Sequence, residues 1–192
     1  MKEIIKTLND HGVGIYDEKR SSFIACSAPI SSEEEAFNFI KDMKGWHKKA
    51  DHYVYAYTVY DEENALISRY SDDREPQGTA GQPILGVFQS QNIENAAIVV
   101  ARYYGGTPLG AAGLTRAYRK VAGIAVHESG IIHKVLYDEL FITMDYSMYN
   151  NVNYMLHSNT RADLMSLKYK IIQEEFGEKI RIHMYTAVAD TK

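Results

Sequence analysis

Ser71–Tyr118 carries two polar, glycine-bearing segments, SDDREPQGTAGQP (residues 71–83) and RYYGGTPLGAAGLTRAY (residues 102–118), with the apolar run AAIVVA (residues 96–101) between them. Each segment runs into a helical pattern. Glycine lets backbone approach a partner closely and adopt positive φ, and a helix that starts just after such a turn offers free N–H groups and the positive end of its dipole to an anion. The expectation is a strand sandwiched between two loop-helix units, with any function at the loops.

Working outward, Val13–Tyr16 and Phe23–Ser27 read as short strands joined by the charged turn DEKRSS. PISSEEEAFNFIKDMKGW predicts a helix capped by Ser32, with Glu35 closing a capping box, an apolar stripe of Ala36, Phe37, Phe39, Ile40 and Met43, and a stop at Gly45. HYVYAYTVY is β-branched and aromatic and reads as a strand, whereas DEENALISRYSDDREPQG reads as a long polar loop. QPILGVFQSQ gives a short helix. LGAAGLTRAYRKVAGIAVHES gives a longer one with Leu114, Ala117, Tyr118, Val121 and Ile124 or Ala125 on one face and Arg116, Arg119 and Lys120 on another. HKVLYDELFITMDYS opens a second unit with a strand, followed by a helix near Ser147–His157, a strand near Leu167–Gln173 and the alternation Ile180, Ile182, Met184, Thr186, Val188. The expected division is 1–134 and 135–192, the second unit being β-α-β-β.

Composition narrows the classes. A chain of 192 residues, 45% of them hydrophobic, can bury two small cores. The single Cys26 excludes an internal disulfide and any cysteine-based zinc site. MKEIIKTLNDHG lacks the apolar run of a signal peptide, and no stretch has the roughly 20 apolar residues of a membrane span. A soluble, cytoplasmic protein with no membrane partner is expected. With 21 Lys+Arg against 25 Asp+Glu, split 15 against 17 before and 6 against 8 after Lys134, neither half is a basic arm. A phosphate-bearing partner would have to meet a local patch.

The candidate chemistry lies in the two loops. Asp72, Asp73 and Glu75 either ligate a hard cation or bond to nearby N–H groups within a turn. Gly105, Gly106, Gly110 and Gly113, with Arg116, either bind a phosphate or serve a tight strand-to-helix turn; neither a Walker G-K-[ST] nor a G-x-G-x-x-G is present. Arg102 ends the apolar strand, free for a ligand or paired with the acidic loop. Tyr53, Tyr55 and Tyr57 share one strand face, as a base-stacking platform or as packing for a helix. His47 and His52, five apart, fit no zinc spacing. No metal and no cofactor are expected.

Asp72, Asp73, Glu75, Pro76, Gly78 to Gly81 and Pro83, then Arg102, Tyr103, Gly105, Gly106, Leu109, Gly110, Gly113, Leu114, Arg116, Ala117 and Tyr118, resemble in order the signature of the IMPACT/YigZ family. KRSSFIA and ADHYVYAY are similar to that family's S-x-F-I-A and A-x-H-x-x-x-A-Y strands, and His52 falls on its histidine. Arg74 and Ala112 stand where the family usually has glycine, and Gln77 where it has a small residue. If that glycine holds positive φ, Arg74 is strained.

The resemblance implies an α+β fold: an Impact-type domain like domain IV of elongation factor G (ribosomal protein S five domain 2-like, shared with the bacterial ribonuclease P protein and the GHMP kinases), with a left-handed crossover. It also implies a ferredoxin-like domain behind it, of which the last helix and strand are expected to be missing and the edge of the first strand, roughly Leu136 to Tyr146, is expected to be exposed. The resemblance also implies translational control. Two functions follow: a binding protein engaging RNA, the ribosome or a translation factor through Asp72, Asp73, Glu75, Gly78, Thr79, Arg102, Gly105, Gly106, Gly110, Gly113 and Arg116, or a nucleotide- or metal-dependent enzyme using the same loops.

Overall fold

The computed structural model describes residues 4–158 and 169–187. Packing divides the chain into two units, Ile5–Lys134 and the remainder from Val135 onward together with Met1–Ile4.

In the larger unit, five strands form one antiparallel sheet in the order β2-β3-β6-β4-β5: β2 (Gly12–Glu18), β3 (Ser21–Pro29), β4 (His52–Tyr60), β5 (Leu66–Ser71) and β6 (Ala96–Tyr103). β6 lies between β3 and β4 and runs opposite to both, so those two point the same way and α1 (Glu33–Trp46) is the crossover between them. Ala96–Arg102 of β6 is buried throughout because helices cover both faces, which is why the run up to Ala101 is apolar without alternation. α2 (Gly81–Gln91) and α3 (Ala111–Ser129) pack on one face around Phe23, Ile84, Phe88, Ile98 and Tyr118. α1 covers the other around Phe39, Met43, Tyr57 and Val99.

Ser32 caps the helix as expected, its Oγ accepting from Glu35 N–H, but the Glu35 carboxylate reaches one residue further back than a capping box requires and accepts from Ser31 N–H, which holds its pKa below the ordinary carboxylate value. Phe37 does not join the apolar stripe, being 55% exposed, and the helix runs one residue past Gly45 to Trp46. Gly12 and Gly14 lie directly beneath α3, where a Cβ would strike the carbonyls of Ala125 and Val121.

Two expectations are corrected. The segment read as one polar loop contains β5, an edge strand paired only with β4 and mostly solvated, so no apolar face marks it in the sequence. The segment read as one new strand divides: β7 (Ile131–Val135) pairs with β1 (Ile4–Leu8) in a two-stranded sheet, and a second strand starts at Tyr137.

The smaller unit is β8 (Tyr137–Met144), α4 (Tyr146–Ser158), β9 (Tyr169–Phe176) and β10 (Ile180–Ala187), antiparallel in the order β8-β10-β9. Ile180, Ile182 and Met184 of β10 pack beneath α4 with Met144, Tyr149 and Val152. β8 has β10 as its only described sheet neighbour. Leu167 and Val188, placed in strands by the sequence pattern, lie outside the described residues.

Candidate functional site

The acidic segment is a folded turn whose carboxylates are engaged by the protein. Glu75 N–H donates to Asp72 O at 2.9 Å, closing a turn with positive φ at both central residues, Asp73 (39°) and Arg74 (69°). This is the primed-turn pattern, in which glycine is favoured at the position Arg74 occupies. Asp72 Oδ2 accepts from Gly78 N–H at 2.8 Å, and its Oδ1 accepts from Ala80 and Gly81 N–H at 3.0 and 2.8 Å. Asp72 therefore caps the start of α2. Asp73 accepts from Tyr53 N–H at 2.6 Å, and its carbonyl meets His52 Nδ1 at 2.8 Å. Gly78 has φ +75°, and Thr79 Oγ1 donates to Pro76 O at 2.6 Å.

Glu75 is the centre of a buried network. Arg102 Nη1 donates to Glu75 Oε1 at 2.5 Å, Tyr118 Oη donates to the same oxygen at 2.8 Å, and His52 Nε2 lies 3.9 Å away. Arg102 Nη2 bonds to Ser21 Oγ at 3.2 Å, and its guanidinium carbon stands 5.4 Å from the Phe23 ring centroid and 5.3 Å from that of Tyr104. Arg102 Nε, flanked by these rings, has no hydrogen-bond partner. Opposite charges expected to meet across the two loops do so, and the alternative in which Arg102 pairs with the acidic loop is the one found. Burial raises the Tyr118 hydroxyl above its ordinary value of 10.0, and the neighbouring Glu75 charge adds to the rise. The network ties β3, β6, α3 and the acidic turn together. Among the described residues, no group of three or more His, Cys, Asp or Glu side chains is arranged to hold a metal ion.

The glycine segment is the exposed part. A Cβ at Gly105 would collide with the Arg20 carbonyl, so the hairpin turn between β2 and β3 sits directly against this loop. Gly106 has φ +79° with open space around it, Gly110 (φ 74°) is the N-cap of α3 without a side-chain cap bond, and Gly113 is buried against Leu109. The hairpin turn is Lys19-Arg20, again with both residues at positive φ (45° and 66°). Arg116 is exposed and pairs not with the acidic loop but with Glu18 at 3.0 Å, which holds the Glu18 carboxyl below its ordinary value. Arg74 Nη2 donates to Asp51 O at 2.9 Å, and the Asp51 carboxylate accepts from Tyr104 N–H at 2.7 Å.

One end of the sheet thus gathers Lys19, Arg20, Arg74 and Arg116 around exposed Tyr104 and Gly106. Sequence reading missed Tyr104 and Asp51; their signal was the aromatic-glycine step YGG and the acid just before β4. Tyr53, Tyr55 and Tyr57 form no open platform: Tyr57 is buried, stacks at 6.3 Å on Tyr55 and bonds to Glu33 of α1. That face is packing for the helix.

Residues 19–126 match the Impact N-terminal domain family. The IMPACT family member YvyE of Bacillus subtilis (strain 168) is 29% identical over 187 residues, 97% of this chain and 80% of YvyE. YigZ of Escherichia coli (strain K12), likewise described as an IMPACT family member, is 30% identical over 138 residues, 72% of this chain and 68% of YigZ. A crystal structure described as that of a hypothetical protein superposes with a TM-score of 0.69 at 24% identity, over 100% of this chain and 89% of that one, which shows a shared fold. With the family's domain matched over more than half of the chain, the chain belongs to the IMPACT family.

Proposed function

We propose that this protein is a translation-associated regulator that binds RNA, of the ribosome or bound to it, at the sheet end formed by the Lys19-Arg20 turn, the Arg74 turn, Tyr104, Gly106 and Arg116. One observation carries the reading. Two neighbouring tight turns each put an arginine at a positive-φ position that favours glycine. Such strain persists where side-chain function outweighs local stability, and what these side chains share is positive charge. Gly106 keeps the loop open for backbone to approach, and exposed Tyr104, backed by Arg102, offers a ring to a base. The family resemblance supports translation as the setting.

The enzyme reading has less support, because the carboxylates of Asp72, Asp73 and Glu75 already accept bonds from backbone N–H groups, Arg102 and Tyr118.

The test titrates a single-stranded RNA oligonucleotide at several salt concentrations. Arg20→Ala, Arg74→Ala and Arg116→Ala should each weaken binding and reduce the slope of log K against log salt by about 0.7, the value for one lost phosphate contact on a single strand. Stability should barely change for Arg116→Ala, whose side chain is 65% exposed. Unchanged affinity and slope in all three variants would sink the proposal.

A further inference from the structure

The smaller unit carries a surface feature of its own. Strand alternation sends Asp138, Leu140, Ile142 and Met144 of β8 toward α4 and Tyr137, Glu139, Phe141 and Thr143 to the opposite face. On β10 the same alternation sends Arg181, His183 and Tyr185 to that face. The outward positions of a small sheet with one helix layer are expected to be polar. Here four of them are rings, Tyr137, Phe141, His183 and Tyr185, set among Glu139, Thr143 and Arg181.

Phe141 is 72% exposed, an unusual placement for a phenylalanine at mid-strand. It is the direct cross-strand partner of His183, with ring centroids 4.5 Å apart and planes only 16° from parallel. Tyr185, two residues along β10, meets the His183 ring edge-on at 5.7 Å and lies 6.5 Å from Tyr137. The His183 ring is fixed by a 2.7 Å bond from Nε2 to Glu139.

We propose that this face, built on Phe141, His183 and Tyr185, is a stacking platform for the unpaired bases of single-stranded RNA. Aromatic side chains standing on neighbouring strands of an open sheet are how small α+β domains hold splayed bases, because every base has a π face and none need be read by its edge. The same face carries charges of both signs, with Glu139 opposite Tyr185 on β8 and Glu175 opposite Arg181 on β9. Arg181 and Lys170, the latter opposite Tyr185 on β9, are exposed and form no ion pair among the described residues, so both are free to meet a sugar-phosphate backbone. The nearby carboxylates are engaged: Glu139 with His183 and Glu175 with the Gln173 amide. An apolar peptide would bury Arg181 and Lys170 without partners, which costs far more than leaving them beside phosphates.

The experiment compares, on the full chain, a labelled single-stranded oligoribonucleotide with an abasic strand of the same length and charge. Wild-type protein should bind the base-bearing strand more tightly. Phe141→Ala should lose roughly tenfold in affinity for it, the scale of one base-aromatic stack, and with it most of the preference for the base-bearing strand, while Phe141→Tyr should retain the preference. Arg116→Ala should shift the salt dependence for both strands and leave the base preference intact, so failure of the loop surface and failure of the platform give different patterns. Equal preference in wild type and Phe141→Ala would overturn the platform. So would an unchanged RNA affinity in Phe141→Ala accompanied by loss of a dimer in sedimentation, which would make the face a self-association surface. Near-ultraviolet circular dichroism checks that Phe141→Ala is folded; if it is not, Phe141→Leu, which keeps an apolar side chain but no ring, replaces it with the same expected loss of base preference.

Discussion

Tyr118 shows how one hydroxyl couples the core to the acidic turn. Its ring fills the space beneath β3 and meets Phe23 edge-on at 5.1 Å, while its Oη donates to the Glu75 carboxylate. Tyr118→Phe keeps the ring and removes one donor to a buried charge, so about 2 kcal/mol of stability should be lost at neutral pH. The pH dependence is more diagnostic. The folded-state pKa of Tyr118 is raised above 10.0, so its contribution to stability is complete below that pH and declines as pH rises past it, when the unfolded chain releases the proton and the folded protein does not. Denaturation measured from pH 8 to 11 should show a shallower alkaline decline in Tyr118→Phe than in wild type. An identical decline would mean that Tyr118 ionises freely in the folded protein. The pairing of Arg102 with the acidic loop was legible in the sequence as one of two alternatives, whereas Glu75 as the particular partner was not, because three carboxylates lie within four residues. Asp72 as the acceptor at the start of α2 was legible only as one of two alternatives, since carboxylate spacing does not say whether the donors are backbone N–H groups or a cation.

At the scale of elements, the turns carry the clearest trade. Lys19-Arg20 and Asp73-Arg74 have the backbone of asparagine-glycine turns without the glycine. Arg20→Gly and Arg74→Gly should each raise stability by roughly 1 kcal/mol, the cost of a left-handed residue with a Cβ, and each should weaken RNA binding. Chemical denaturation alongside the RNA titration checks this; a gain in stability with full binding would show the arginines to be dispensable. The helices were legible from their periodic apolar faces and β6 from its unbroken apolar run. β5 was not, since an edge strand solvated on both sides looks like a loop. β1 was missed because five residues, IIKTL, are too few to set a period and their partner, β7, lies more than 120 residues away in sequence. Arg74 was legible as a conflict: an arginine where glycine is usual predicted strain, and its φ is positive.

For the whole molecule, β1 and β7 lie side by side, and Asn9 N–H, just past the end of β1, donates to the carbonyl of Gly130, just before β7. The inner ends of the two strands meet, so they run in opposite directions and Ile4 and Val135 emerge together. The larger unit can therefore be rewired as a ring. A circular permutant joining Val135 to Ile4 by a short glycine-serine linker and opened in the 61–65 turn, where Asp61 already organises its own reversal by accepting from Glu63 and Ala65 N–H, should fold and keep the RNA affinity of the loop surface. Far-ultraviolet circular dichroism and the RNA titration are the checks, and a permutant that fails to fold would mean that chain continuity across the hairpin, and not the pairing of its two ends, holds the unit closed.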